Sequence, residues 1–311
     1  MKRIVLILVL VLIVFSTKQA FSACPSMDFT GDCKVDFKDF AVFASQWLDE
    51  KFDDLGMLAS QWLDEGIPED PCNMVWVDIN DLGVFGHEGF NGEMSKYETT
   101  NAQYCQFLND ALACGDITVE ADVVYGVNGS NGGTDFVDQV YYNLAGAGYT
   151  YNEATNGGAA RINYIDSSFT VDSGFENHPV TYVSWYGATA FCNYYGYRLP
   201  TEWQWQAVAD YNGSFTYGCG TTINNSIANY FNSTHPNGTT AVGSFGTFGY
   251  DMCDMAGNVY EWTDSWYSDN QNYRIFRGCC WYSLENYCTV SSRTYYGPNS
   301  AYYVIGFRVC R

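Results

Sequence analysis

The spacing of apolar and polar residues predicts three short helices after residue 74. Two capping boxes, at residues 100–103 and 201–204, each place a Gln three residues after a Thr and would begin the first and third helices. Ser184 and Gly196 would cap the two ends of the second helix, over Trp185–Tyr195. Apolar residues of the first helix share one face, which is expected to be buried: Tyr104, Phe107, Leu108, Ala111 and Leu112.

Outside these helices the pattern predicts short strands and turns. A strand at residues 74–78 should open the main domain, 74–311, after a proline-containing linker at 67–73. Residues 116–176 are rich in Gly, Asn, Ser and Tyr and predict a long, mostly irregular insert. Residues 274–311 form an alternating aromatic stretch and predict strands around the core. The expected fold class is therefore α+β, with few helices and much irregular structure.

The first residues have the pattern of a secretory signal peptide. Two basic residues precede an apolar run at 4–15, and a small-residue cleavage site follows at 20–22. We expect cleavage after Ser22 and a secreted or periplasmic protein. Acylation of Cys24, as in a lipoprotein, is the alternative. The apolar run is too short for a stable transmembrane helix and no later stretch reaches that length, so no membrane span is expected.

Charge and cysteine content narrow the choice of partners. The formal net charge is −21, from 14 basic and 35 acidic residues. Removing the signal peptide removes Lys2, Arg3 and Lys18 and no acid, which leaves 11 − 35 = −24. Such a chain would repel phosphates, which excludes nucleic acid as a partner, and it suits cation binding outside the cell. Twelve cysteines in an exported chain predict some disulfides.

An acidic segment at residues 23–66 contains a candidate calcium loop. Its side-chain oxygens and one backbone carbonyl, that of Lys34, have the spacing of a twelve-residue loop: Asp28, Thr30, Asp32, Lys34, Asp36 and Asp39. The sequence ASQWLDE occurs at 44–50 and again at 59–65. This helical segment resembles a dockerin module, which implies bound Ca²⁺ and a cohesin-like scaffold protein as partner. The second copy lacks the earlier ligands, and an acidic two-helix spacer is the alternative. Cys33 would lie near Cys24 for a disulfide.

A second candidate calcium site lies at residues 254–266, which combine two acids, a Gly-Asn turn and two tryptophans. A turn could direct four oxygen ligands to one point, from the side chains of Asp254 and Glu261 and the carbonyls of Gly257 and Val259. The two tryptophans are expected to be buried beside the turn and to hold its shape. The alternative is a Gly turn followed by an aromatic strand, with both acids solvated.

Residues 257–262 resemble the GN-x-x-EW signature of the formylglycine-generating enzyme family, also called the sulfatase-modifying-factor domain. Further motifs of the family follow the same order as in its members, at residues 96–108, 177–180, 183–186, 198–203, 277–278 and 306–308. The resemblance implies an irregular α+β fold related to C-type lectins. It also implies a further calcium site formed by the Asn229 side chain and the Tyr230 carbonyl, although residues 232–240 lack the acid that this site requires.

Catalytic members of this family resemble a copper oxidase that converts a cysteine of a client sulfatase to formylglycine. Two cysteines five residues apart bind Cu(I), which prefers soft sulfur ligands. The matching positions here are Ser283 and Cys288, so one thiol is missing. Cys280 could form a displaced thiolate pair with Cys288, or the two could form a disulfide, which an oxidising compartment favours. Cys192 and Cys310 are further candidates for a bridge.

The sequence therefore leaves two functions open. The first is a non-catalytic, lectin-related module, stabilised by calcium, that binds a glycan or protein in a Tyr- and Trp-lined groove within an extracellular assembly. The second is a formylglycine-generating oxidase that uses Cu(I). The serine at position 283 favours the first.

Overall fold

The computed structural model of the protein describes residues 72–83, 88–127, 134–144, 159–231 and 238–311. The signal peptide and the dockerin-like segment with its 28–39 loop lie outside these residues. The chain divides into two units, Met1–Asn73 and Met74–Arg311, and the elements below belong to the second.

Three helices form where their caps predict them. They are α1 (Asn101–Ala113), α2 (Trp185–Tyr195) and α3 (Glu202–Asp210). At the start of α1 the Thr100 hydroxyl accepts the Gln103 N–H at 3.3 Å, and the Gln103 side chain accepts the Thr100 N–H at 2.9 Å. These three predictions are confirmed. None of the helices in the described part of the chain has the length and apolar character that crossing a bilayer requires.

Strands in the described residues are short. In chain order they are β1 (Trp76–Asp81), β2 (Phe90–Ser95), β3 (Ile117–Glu120), β4 (Val123–Gly126), β5 (Val140–Asn143), β6 (Ile162–Ile165), β7 (Ser168–Val171), β8 (Tyr260–Trp266), β9 (Arg274–Arg277), β10 (Thr294–Tyr296) and β11 (Ile305–Gly306). β1 and β2 pair antiparallel. The largest sheet has the order β10-β9-β8-β11, in which β11 runs parallel to β8. The strands expected in residues 274–311 are thus confirmed.

The insert at residues 116–176 is more regular than predicted. Its described part contains the antiparallel sheet β3-β4-β5 and the hairpin β6-β7. Both tight turns use two left-handed residues, with φ of 48° and 62° at Ala121 and Asp122 and 50° and 63° at Asp166 and Ser167. Hairpin turns with two positive φ angles usually contain Gly or Asn. Because these turns contain neither, the sequence lacked the signal that would have predicted the hairpins.

The core joins the helices to the largest sheet through aromatic rings. Tyr104 and Phe107 of α1 lie 6.0 and 5.6 Å from Phe191 of α2, measured between ring centroids. On β8, Trp262 is fully buried and its indole N–H donates to the Val183 carbonyl at 3.0 Å. Trp266, at the end of that strand, is only half-buried. The expected burial is therefore confirmed for the first tryptophan and only in part for the second.

Candidate functional site

The turn that precedes β8 depends on left-handed backbone. Gly257 has a φ of 92° and Asn258 a φ of 63°. A Cβ atom at position 257 would lie 2.4 Å from the Asn229 carbonyl oxygen, closer than any side chain can come. Both the backbone angle and this close approach therefore require glycine here.

Asn258 connects this turn to two distant segments. Its amide nitrogen donates to Glu98 Oε2 at 2.6 Å, and its amide oxygen accepts the Thr240 N–H at 2.9 Å. Glu98 Oε1 accepts the Val259 N–H at 3.1 Å. Burial raises the pKa of Glu98 well above its usual value, and neighbouring carboxylates raise it further. Glu98 thus fixes the backbone where the turn enters β8.

Glu261, the first buried residue of β8, holds a fully buried arginine. Its two carboxylate oxygens accept hydrogen bonds from Arg308 Nε at 2.6 Å and Arg308 Nη2 at 2.7 Å. The Trp205 indole N–H adds a third at 2.6 Å. Burial lowers the pKa of Arg308, but the carboxylates of Glu261, Glu98 and Asp254 together raise it by more, so the pKa lies above its usual value. Three backbone carbonyls accept the remaining guanidinium hydrogens, those of Ser95, Lys96 and Cys253.

The two acids of the calcium site predicted from Asp254, Gly257, Val259 and Glu261 are hydrogen-bonded to other groups in this arrangement. Both Glu261 oxygens are engaged by N–H donors, and Asp254 Oδ2 accepts a backbone N–H at 2.6 Å. No group of three or more His, Cys, Asp or Glu side chains that could hold a metal occurs among the residues described. The guanidinium of Arg308 therefore neutralises Glu261 in this structure, and calcium binding by the four predicted residues stays a prediction.

The further calcium site that the family resemblance implies, formed by Asn229 and Tyr230, lies against the same turn. The Asn229 amide nitrogen donates to the Gly238 carbonyl at 3.0 Å, and its own carbonyl accepts the Asn258 N–H at 2.8 Å. Tyr230 is half-buried. These bonds give Asn229 a structural role in supporting the turn, and calcium binding by this pair stays a prediction.

Residues 277–288, which would carry the copper ligands, pack on the other side of the Gly-Asn turn. The Gly278 carbonyl accepts the Gly257 N–H at 2.8 Å, and the Trp281 N–H donates to the Asn258 carbonyl at 2.9 Å. Within this segment, Cys279 and Cys288 form a disulfide, with their Cα atoms 4.9 Å apart. The segment is therefore a closed loop fixed against the turn.

Ser283, at the position of the missing thiol, takes part in a buried hydrogen-bond cluster. Its hydroxyl accepts the Cys280 N–H at 3.1 Å and donates to the Tyr260 hydroxyl at 3.0 Å. The Cys280 sulfur lies 3.2 Å from the same oxygen. Burial raises the pKa of Cys280 to about 11, so its thiol is protonated at neutral pH. The cluster closes the loop and contains no reactive thiolate.

Pairing of Cys280 with Cys288, as thiolates or as a disulfide, is wrong, whereas a disulfide at Cys288 is present. Cys288 is bonded to Cys279, so it forms neither a thiolate pair nor a disulfide with Cys280. Cys280 is free, and so are Cys192 and Cys310, which do not form the bridge considered for them. Cys279 follows a glycine and has a φ of 62° itself. That turn directs the first sulfur of the Cys-Cys pair, and not the second, toward Cys288.

The sequence predicts the position of the Gly-Asn turn and of Glu261, but it does not predict the side chains that bind to them. Glu98 and Arg308 both lie inside family motifs, at residues 96–108 and 306–308, but the sequence pattern alone assigns neither of them a role. Tyr260 lies inside the motif at 257–262, and Trp205 lies two residues after the motif at 198–203. A buried acid at position 261 needs a buried donor, and that requirement was the signal available for finding Arg308.

The structure defines an irregular α+β domain organised around a buried Glu–Arg pair and a disulfide-closed loop. Residues 88–311 match the sulfatase-modifying factor enzyme 1-like domain, and the chain belongs to this family.

Curated proteins and solved structures are similar to the chain. The serine/threonine-protein kinase pkn1 of Chlamydia caviae is 34% identical over 180 residues, 52% of this chain and 28% of that protein. The formylglycine-generating enzyme of Thermomonospora curvata is 30% identical over 168 residues, 42% of this chain and 55% of the enzyme. The inactive C-alpha-formylglycine-generating enzyme 2 of Bos taurus is 32% identical over 149 residues, 42% and 49% of the two chains.

The chain thus spans between 28% and 55% of the length of these relatives. The crystal structure of CarF superposes with a TM-score of 0.53 at 20% identity and covers 76% of this chain and 97% of that one. This likeness concerns the fold alone.

The residues present do not fit the copper site that the family implies. A Cu(I) site of this type needs two free thiols held close together. Residues 277–288 are all described, and Cys280 is the one free cysteine among them. The neighbouring Ser283 offers a hydroxyl that is already hydrogen-bonded.

Proposed function

We propose that this protein is a non-catalytic member of its family, which binds a ligand and does not oxidise cysteine. The observation that carries the proposal is the Cys279–Cys288 disulfide. The bond engages the sulfur of Cys288, which is the one cysteine of the family's thiol pair that this chain retains. A disulfide sulfur is neither a thiolate nor free to become one without a reductant.

The chemistry of position 283 supports the same conclusion. Ser283 presents a hard, neutral oxygen, whereas Cu(I) prefers soft, anionic sulfur. Reduction of the disulfide would free Cys279 and Cys288 but would still leave a serine at position 283, where the second thiolate of the family's pair belongs. One relative is named as an inactive formylglycine-generating enzyme. A lack of oxidase activity in this chain would agree with the name of that relative.

The test measures copper binding and aldehyde formation on one set of variants. The full chain is loaded with Cu(I) and mixed with oxygen and a cysteine-containing sulfatase peptide, and the product is analysed by mass spectrometry. We expect no aldehyde from the native protein, with or without prior reduction, and no tightly bound copper while the disulfide is intact. The double variant Cys279→Ser/Ser283→Cys frees Cys288 and restores the pair, so it should gain one copper per chain.

The matched control is Cys279→Ser alone, which frees Cys288 without adding the second thiol. Copper binding in this control equal to that of the double variant would show that position 283 is not decisive. Aldehyde production by the native protein that disappears in Cys288→Ser would overturn the proposed function.

Export and calcium binding belong to the proposal on sequence grounds. The basic and apolar pattern of residues 1–22 supports secretion, and the oxygen spacing of residues 28–39 supports one bound Ca²⁺. We propose that the 23–66 segment attaches the domain to a scaffold protein. The structure offers no support for a Tyr- and Trp-lined groove within the described residues, and some of the exposed tyrosines there, among them Tyr295 and Tyr296, lie on the largest sheet.

A further inference from the structure

Three tyrosines form an exposed cluster at one end of the largest sheet. Tyr267, Tyr273 and Tyr295 keep 40%, 43% and 39% of their surface accessible. We call them the tyrosine triad. Rings of this size are usually buried or bound when they cluster, because their apolar faces are costly to leave in water.

The sheet holds the triad in a fixed arrangement. Tyr267 follows β8 and Tyr273 precedes β9, and the Tyr267 N–H donates to the Tyr273 carbonyl at 2.9 Å. Tyr295 lies on the neighbouring strand β10, paired with Ile275. Its ring stacks on Tyr267 with centroids 3.7 Å apart and an interplanar angle of 26°, and lies 5.3 Å from the Tyr273 ring. The three rings therefore form a platform that is ordered before any ligand arrives.

Arg293 lies beside the triad, and its positive charge is paired with a carboxylate. Arg293 lies with its guanidinium carbon 5.7 Å from the centroids of both Tyr267 and Trp203. Its Nε and Nη2 atoms donate to the two Glu202 oxygens at 2.6 and 2.7 Å. This two-point pairing uses the fork that would otherwise recognise a carboxylate or sulfate on a ligand.

The loop that joins Tyr267 to Tyr273 adds polar groups at the edge of the platform. Its residues are Ser268, Asp269, Asn270, Gln271 and Asn272. Asn270 Oδ1 accepts the Ser268 hydroxyl at 2.9 Å and the Asn272 N–H at 3.2 Å, which shapes the loop. Hydroxyl and amide groups suit hydroxyl-rich ligands, and the one charged residue of the loop, Asp269, would repel an anionic one.

We propose that the tyrosine triad is a binding platform for a neutral polysaccharide. The proposal rests on the proposed binding function and gives it a ligand class. The C–H faces of a sugar ring can pack on the exposed tyrosine rings, and its hydroxyls can bond to the amide loop. Tyrosine is also common in protein interfaces, so a protein partner is an outcome that the test separates from polysaccharide binding.

Affinity electrophoresis of the full chain tests this directly. The native gel contains one soluble neutral polysaccharide at a time: hydroxyethylcellulose, xyloglucan, galactomannan, mixed-linkage β-glucan or dextran. Polygalacturonate serves as the acidic probe. We expect retardation by at least one neutral polymer and none by polygalacturonate.

Variants locate the binding site. Tyr267→Ala and Tyr295→Ala should each weaken the affinity about tenfold, since each removes one ring of the stack. Tyr267→Phe keeps the ring and should bind nearly as the native protein does. Tyr287→Ala is the matched control, because Tyr287 is 53% exposed and lies outside the triad. Near-ultraviolet circular dichroism confirms that each variant is folded.

The outcomes separate the ligand class from the binding function. Absence of retardation by all five neutral polymers overturns the proposal, and so does retardation by polygalacturonate alone. If Tyr287→Ala abolishes the retardation and Tyr267→Ala does not, the protein binds a polysaccharide but at a site other than the triad. A protein partner lost in Tyr267→Ala, with no polysaccharide bound, would keep the surface and refute the ligand class. Aldehyde formation by the native protein, by contrast, would overturn the non-catalytic function without bearing on the gel.

Discussion

The buried pair of Glu261 and Arg308 makes the sharpest prediction about stability. We consider Glu261→Gln, which keeps the size and shape of the side chain and removes its charge. The Trp205 indole could still donate to the amide oxygen. The amide nitrogen, however, would face Arg308 Nε or Nη2, a donor against a donor, and the guanidinium would lose the carboxylate that now lies 2.6 Å from it.

The expected loss is about 3–5 kcal/mol in the free energy of unfolding, the usual cost of removing one partner of a buried ion pair. Both side chains are 0% exposed, so water cannot replace the lost charge. The matched control is Glu93→Gln. Glu93 and Arg311 also pair at 2.6 Å, but their side chains are 34% and 43% exposed. Because water screens that pair, we expect a loss of only about 0–1 kcal/mol there.

Urea unfolding of the full chain, followed by tryptophan fluorescence, measures both changes. Equal losses in the two variants would refute the reasoning, because burial would then make no difference to the pair. A loss below about 1 kcal/mol in Glu261→Gln would show that another carboxylate, such as Glu98, compensates Arg308. A calcium-dependent melting temperature that Glu261→Gln abolishes would instead make Glu261 a calcium ligand, as the sequence had predicted.

Three further predictions concern Asp110, Gly257 and the 28–39 loop. Burial raises the pKa of Asp110 to about 6, so the folded state binds a proton that the unfolded state releases near pH 4. The contribution of Asp110 to stability is therefore fully present below pH 4 and is lost as pH rises through 6. Melting curves from pH 4 to 7 should show that the melting temperature of Asp110→Asn rises relative to that of the native protein. A difference in melting temperature that stays constant over this range would contradict this. Gly257→Ala should cost at least about 2 kcal/mol in urea unfolding, from the left-handed angle and the backbone clash, whereas Gly115→Ala, with a φ of 75° but open space, should cost about 1 kcal/mol. Replacing Asp28 and Asp32 by Ala should abolish calcium binding at the 28–39 loop by isothermal titration of the full chain, and unchanged binding would refute the dockerin-like loop.

The sequence by itself determined the features that depend on local bonds. Thr100 and Thr201 each precede a Gln by three residues, and these capping boxes start their helices because both partners lie within one turn. Gly196 ends α2 because its left-handed angle of 76° suits a residue without Cβ. The Gly-Asn turn before β8 was recognisable for the same reason. In each case the residues that decide the structure are neighbours in the chain.

Tertiary structure decided what each polar side chain binds. Glu261 and Arg308 are 47 positions apart, and Glu98 lies a further 163 positions before Glu261. The spacing of acids at 254 and 261 could not distinguish a metal ion from a guanidinium, since both are cations that satisfy a buried carboxylate. Likewise the choice of Cys279 over Cys280 as the partner of Cys288 depends on the direction of a backbone turn. Such choices depend on which groups the fold brings together, and the order of residues alone does not contain them.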